Sequence, residues 1–438
     1  VLRFRLEQMD SENYNPDNIQ PRATGIDLLI CMVERDSSDC VAKVLTEMRK
    51  SLLLQPQMDP NVVLAKDSCY RAIGEVMAKV PDCIEPKGWF RNELRAMLAS
   101  DLLARFPMSI MKARALWLTG IVVNQLPYRL WVQALELSIK NLHSDDGVVG
   151  LMAVTTLTAL VSGVLDAEST QGEQKGSDST ASMADKFGEN ESADTGQEPD
   201  RFGREDDDDD ASKLSEIIKM KRSKILESFE GVAKISFVMM GRFSEISSVV
   251  RVLQMISFYV ELLGSDLKPK LGVVCDELPR VWTAATQRFA ETEWPWLSRL
   301  YSSLASVVNH LVSRLNVAAT SDARVQGIIY PLLDHIFQSK DIQESLAEDA
   351  LGLWRTILAS GEDAGRPLIR HLPMLLEIMG RGEQHFLGFS ILEAMLILGF
   401  KQDVGRQWPK IVEHLFTSVA EASPLAQGGD IEKTLRKG

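Results

Sequence analysis

The residues in this chain best suited to chemistry are acids. Glu205 and the five consecutive aspartates Asp206, Asp207, Asp208, Asp209 and Asp210 form an unbroken string of carboxylates. Such a string attracts basic segments over long range and speeds their encounter. Lys213, Lys219, Lys221, Arg222 and Lys224 follow at once and would compete for the same acids. A second candidate is aromatic. Trp294 and Trp296 flank Pro295 at the start of a helical pattern, behind Glu291 and Glu293. A partly exposed pair at that place would line a groove for an aromatic ligand. Both features point to partner binding.

Catalysis and metal binding find no such support. The histidines (His143, His310, His335, His371, His385, His414) never fall two within four residues, and the cysteines (Cys31, Cys40, Cys69, Cys83, Cys275) form no CxxC pair. Zinc-ligand spacing is therefore missing, and an odd set of scattered cysteines fits a reducing compartment. The sequence holds no GxGxxG after a strand, no GxxxxGK[ST], no GxSxG and no HExxH. Acid pairs such as Glu34 with Asp36 or Glu348 with Asp349 lie on amphipathic patterns, where they read as solvated faces. The expectation is a protein with no catalytic residues, no cofactor and no metal.

The elements that carry these residues are helices. The chain has 438 residues and a net charge of -13, and the excess is local: 16 acidic against 4 basic residues lie in 166–211, leaving 45 acidic and 44 basic elsewhere. A nearly neutral remainder excludes the basic footprint of a nucleic-acid binder. Residues 166–211 are rich in Gly, Ser, Glu and Asp and almost empty of aliphatic side chains, so they are expected to be a disordered acidic insert. On either side, apolar residues recur three and four positions apart. One such row is Ile246, Val249, Val250, Leu253, Ile256, Val260 and Leu263. The helices pair, and first helices are expected near residues 61, 109, 147, 243, 296, 341 and 385. With the 46-residue insert removed, the steps run from 38 to 53 residues. A two-helix unit of that length belongs to HEAT and armadillo arrays, whereas tetratricopeptide and ankyrin units are shorter. The expected fold is an all-α, armadillo-like HEAT-repeat superhelical solenoid. Its segments are repeats in 1–165, the insert in 166–211, repeats in 212–422 and a flexible tail in 423–438. The uncharged stretch Gly147 to Leu165 is long enough to span a bilayer. Its three Thr, one Ser and three Gly, with acids at both ends and no aromatic belt, read instead as a helix buried on both sides.

A series of motifs in one order then resembles a known family. Asp145, Asp146, Val148, Val149, Thr155, Thr156 and Leu157 resemble the start of a HEAT repeat, although Gly150 stands where an Arg is expected; Val249, Val250 and Arg251 keep the Arg. Lys66 and Asp67 precede Tyr70 and Gly74; Trp89 and Phe90 precede Asn92 and Leu94; Trp117 and Leu118 precede Gly120. Pro269, Leu278, Pro279 and Trp282 follow, and then Glu348, Asp349, Leu351, Leu353 and Trp354. This order resembles the middle and later repeats of the importin-beta superfamily of karyopherins, nearest the importin-eleven type, over about Pro21 to Leu398 without the insert. The resemblance implies a monomeric nuclear transport receptor in cytoplasm and nucleus and at the pore of the nuclear envelope. Its implied partners are protein cargo, phenylalanine–glycine nucleoporins and the GTPase Ran. The family's main Ran-binding repeats lie at the amino-terminal end, and this chain reads as an internal piece that begins after them. No direct nucleic-acid partner and no membrane insertion are expected. The rival reading is a static HEAT scaffold that organises a multiprotein complex.

Overall fold

The computed structural model describes residues 28–32, 35, 39–53, 59–79, 85–101, 108–184, 205–287, 294–338, 340–381 and 384–413. Every regular element among them is helical. The chain divides into two compact units, Val1–Phe243 and Ser244–Gly438. The boundary thus falls just ahead of a helix and not at the insert, because the helices on the two sides of the insert pack together as one pair.

In the first unit, α1 (Asp39–Leu53) and α2 (Pro60–Lys79) are followed by α3, a single helical run. It passes from Pro86–Trp89 through a π-helical turn, Phe90–Leu94, into Arg95–Ala99. Next come α4 (Ser109–Val122), α5 (Tyr128–Leu142), α6 (Gly147–Ala184) and α7 (Glu205–Met240). α2, α4 and α6 stack side by side as a first row. A second row packs on them: α1 on α2, α3 on α4, and α5 with α7 on α6. Acids start several of these helices. Asp59 accepts the Asn61 N–H at 2.8 Å, Glu85 the Gly88 N–H at 2.6 Å, and Asp146 the Val148 N–H at 2.9 Å. Each satisfies a backbone donor that the first turn leaves open and meets the positive end of the helix dipole.

The second unit repeats the plan. α8 (Ile246–Leu263) is followed by α9 (Leu271–Gln287), α10 (Trp294–Leu315), α11 (Ala323–Gln338) and α12 (Lys340–Ala359). A 3-10 turn Arg366–His371 leads into α13 (Leu372–Gly380), then α14 (His385–Ile397) and α15 (Lys401–Arg406). α8, α10, α12 and α14 form the first row, while α9, α11 and the 3-10 turn follow one another in the second. Gly264 at φ +51° and Gly361 at φ +125° end α8 and the α12 hairpin in conformations that a side chain would strain.

First-row helices lie between two neighbours and are apolar on both faces. In α4, Ala113, Ala115, Leu116, Leu118 and Val122 are all buried, and so are Lys112 and Arg114. The expected row Ile246, Val249, Val250, Leu253, Ile256, Val260 and Leu263 is buried throughout. Two helical stretches, Gly147–Gln171 and Ile246–Gln287, are long and apolar enough to cross a membrane, but 67% and 72% of their most apolar windows are buried inside the protein. Protein neighbours already supply the apolar surroundings that such sequences need.

The stretch 166–211 carries helix at both of its ends. α6 continues to Ala184 and α7 begins at Glu205. Near the start of that continuation Ser169 donates to the Leu165 carbonyl and Thr170 to that of Asp166. Glu168 also meets Arg222 of α7 at 3.3 Å. At the other end, Glu205 to Asp210 occupy the first turns of α7, where the helix dipole stabilises negative charge. Residues 185–204 and the expected tail 423–438 lie outside the described residues.

Polar ties between repeats share one spacing. Arg114 donates to Asp67 at 2.8 Å, Thr156 to the Leu116 carbonyl at 2.8 Å, and Asn141 to that of Leu98 at 3.1 Å. In the second unit Arg324 meets Asp276 at 2.6 Å and Arg370 meets Asp334 at 2.6 Å. These partners lie 36 to 48 residues apart, one repeat. Aromatic triads recur in the same way. His335 of α11 packs on Tyr301 and Trp282, with ring centroids 5.0 and 5.8 Å away, and His371 packs on Phe337 and Trp354 at 4.9 and 6.3 Å.

Two measurements test these ties. Arg114→Met strips the buried Asp67 carboxylate of its guanidinium, which lowers stability by roughly 3–5 kcal/mol in chemical denaturation; Asp67→Asn with Arg114→Met restores much of that loss. The second is a pH profile. Burial holds the His335, His310 and His371 imidazoles below their ordinary value, with Glu261 opposing at His310 and Asp334 at His371. The unfolded chain therefore binds more protons once pH falls below about 6.5. The melting temperature is expected to drop between neutral and mildly acidic pH, and less so in His335→Phe.

Candidate functional site

The motif residues of the first unit converge in space. In α2, Asp67 receives Arg114 of α4, whose guanidinium lies 4.9 Å over the Trp117 ring. Trp117 in turn packs against Gly74, where any added Cβ would collide with the indole. Tyr70 meets Trp89 of α3 edge to face, with centroids 6.0 Å apart. Trp89 and Phe90 are buried. The ordered motif is thus a packing code that locks α2, α3 and α4 together. The same holds for Trp282 and Trp354 in the aromatic triads of the second unit.

Beside this cluster lies a cleft of about 330 Å³ between the second-row helices α1 and α3. Thr46 and Arg49 form one wall, and Glu85, Gly88, Trp89, Asn92 and Glu93 form the other. Arg49 stands 5.5 Å over the Trp89 ring, and its Nε lies 3.7 Å from Glu93 Oε2. The Trp89 indole N–H donates to the same Oε2 at 2.9 Å. Burial pushes the Glu93 carboxyl up, and the charges of Arg49 and Lys66 pull it back. Sequence reasoning did not single out Arg49 or Glu93. The only local signal was Glu93 one helical turn after Trp89.

The candidates read from the sequence fall in different units. Glu205, Asp206, Asp207, Asp208, Asp209 and Asp210 open α7 in the first unit, while Trp294 and Trp296 open α10 in the second. Trp296 is half-buried, with the Arg299 guanidinium 5.2 Å from its ring centre. The Trp294 side chain and those of the acids lie outside the described residues.

One arrangement has the outline of a catalytic triad. Ser257 Oγ lies 2.7 Å from His310 Nδ1, and His310 Nε2 lies 3.8 Å from Glu261 Oε2. Ser257 is buried in mid-helix, where the neighbouring backbone N–H groups are used by α8 itself and cannot hold an oxyanion. The group instead ties α8 to α10, with Ser306 3.1 Å from Ser257. Burial pushes the Cys275 thiol up to about 12, which keeps it protonated and unreactive. Among the described residues, no group of three or more His, Cys, Asp or Glu could hold a metal ion.

No family model matches the chain. Importin-11 of Homo sapiens is 20% identical to it over 362 residues, which cover 80% of this chain and 30% of that protein. The chain thus spans less than a third of the length of this relative. Among solved structures, Lph2, a bidirectional nuclear transport receptor of S. cerevisiae, aligns with 86% of this chain and 34% of its own at 14% identity and a TM-score of 0.48. A structure of Kap95p bound to RanGDP aligns with 98% of this chain and 58% of its own at 13% identity and a TM-score of 0.30. Over most of its length, then, this chain of paired helices is similar in sequence to Importin-11, at 20% identity.

Proposed function

We propose that the chain is part of a nuclear transport receptor that carries protein cargo between cytoplasm and nucleus by reversible binding, without catalysis. The observation that carries this reading is the match to Importin-11 along most of the chain, together with rows of helices that repeat the same tie. An array whose units touch only their neighbours offers many similar clefts. Many weak clefts give avidity with fast exchange, which passage through a crowded pore demands. Phenylalanine–glycine segments of nucleoporins are the proposed occupants of such clefts, and Trp296 at the start of α10 is a proposed contact. Glu205 to Asp210 and the preceding helix arm are proposed to attract basic segments of cargo. Control by Ran is proposed for the receptor as a whole.

Peptide NMR at physiological salt tests the reading. A phenylalanine–glycine repeat peptide is expected to broaden on addition of the purified chain, while a serine–glycine peptide stays sharp. Equal spectra, with one stoichiometric partner co-purifying, would favour a static scaffold. For the acids, replacing Glu205 by Gln and Asp206 to Asp210 by Asn is expected to slow association of a lysine-rich peptide several-fold at low salt and to flatten its salt dependence. Unchanged rates would remove the acids from partner capture.

A further inference from the structure

Along one stretch of the second row, bases are exposed with no acid to meet them. α3 carries Lys87, Arg91 and Arg95 at steps of four residues, and α5 carries Arg129. All four are exposed. Among the described residues, Lys87, Arg91 and Arg129 have no ion-pair partner, and Arg95 bonds only to the neutral Gln133 side chain, at 3.3 Å. Other exposed bases of the second row do find acids, as Lys140 finds Asp101, Arg324 finds Asp276 and Arg370 finds Asp334. The only acid in 86–100 or 123–135 is Glu93, which is held by the Trp89 indole N–H on the side of α3 that faces α1.

The backbone gathers these bases into one band. Gln133 stands beside Arg95, and further along Lys140 Nζ lies 3.3 Å from the Ala99 carbonyl and 3.0 Å from Asp101. α3 and α5 therefore run parallel, with an offset of 38 residues at the first contact. One turn before Arg95 and Gln133 come Arg91 and Arg129, which this register places side by side. In an ideal α-helix, residues eight apart drift about 80° around the axis. The wider π turn Phe90–Leu94, closed by the Arg95 N–H on the Phe90 carbonyl, takes up part of that drift and keeps Lys87, Arg91 and Arg95 in line. Like charges at i and i+4 weaken a helix, so folding alone does not favour such a row.

The charges decide what kind of group would cover the band. We propose that Lys87, Arg91, Arg95 and Arg129 form a docking surface for a short acidic peptide segment of a protein partner. Its carboxylates would meet successive bases over roughly 12 Å of α3, with the arginines able to pair bidentately. A longer polyanion such as a nucleic-acid strand would run on to exposed Glu85 at one end and exposed Glu136 at the other. Against a net charge of -13 for the chain, the band is a local exception. The site depends only on α3 and α5, so it stands whether or not the transport reading holds.

Fluorescence anisotropy of a labelled hexaglutamate peptide on the full chain tests the assignment, with hexaglutamine and a uridine hexanucleotide beside it. Hexaglutamate is expected to bind saturably at low salt and to weaken as salt rises, and hexaglutamine is expected not to bind. Arg91→Gln with Arg129→Gln is expected to weaken hexaglutamate roughly tenfold. Lys401→Gln with Lys410→Gln, which removes two exposed bases of the second unit, is expected to leave its binding unchanged. Every side chain replaced is exposed, and a melt equal to that of the parent chain shows that each variant is folded. Three outcomes overturn the proposal: hexaglutamate binding no better than hexaglutamine; no loss in the arginine variant, or an equal loss in the lysine variant; or tighter binding of the hexanucleotide than of hexaglutamate, which makes the band a surface for a phosphate backbone.

Discussion

A two-helix unit cannot bury its apolar surface alone, and everything else in this structure follows from that constraint. Each first-row helix must be apolar on opposite faces, because it is packed between the helix before and the helix after. α4 carries this to its limit, with even Lys112 and Arg114 out of solvent. Lys112 survives there by donating to the Ser100 carbonyl at 3.0 Å, and Arg114 by its bond to Asp67. The buried charge of Arg114 is met by a partner from the neighbouring repeat. Such ties recur with the repeat itself, as Asp67 with Arg114, Asp276 with Arg324 and Asp334 with Arg370. The exposed pairs among them contribute little energy, so register is their main effect, whereas the buried Asp67–Arg114 pair is costly to break.

Much of this was legible in the sequence because burial leaves a periodic trace. Tyr128–Leu142 begins and ends where the pattern of Leu130, Trp131, Ala134, Leu135 and Leu142 requires, and α4, α6 and α14 start at the expected residues. The ordered motif around Lys66, Trp89 and Trp117 was legible as a resemblance, and its physical meaning appeared only when the three helices were brought together. What failed to show was structure that does not depend on burial. α6 continues past Leu165 into a stretch rich in Gly, Ser and acids, and α7 starts on six consecutive acids. Neither leaves an apolar row. The α1–α3 cleft was invisible for another reason: Arg49 and Glu93 are 44 positions apart in sequence, and only the stacking of repeats places them side by side.

The same constraint shapes what the molecule is suited to do. A core shared between neighbouring repeats places the clefts of such an array between its helices, as with the one between α1 and α3. The Ser257, His310 and Glu261 group belongs to the packing. It has distances near those of a hydrolytic triad but serves to join α8 to α10, because its serine is buried and the surrounding amides belong to the helix. The proposed binding over several weak sites would suit reversible carriage of partners.

The central claim, that this chain belongs to a carrier able to enter the nuclear pore, is tested most directly by partition. Fluorescently labelled chain is placed against a hydrogel of phenylalanine–glycine nucleoporin repeats, beside an inert protein of equal mass. The account predicts rapid, reversible enrichment of the chain inside the gel and exclusion of the inert protein. Exclusion of both alike would contradict it.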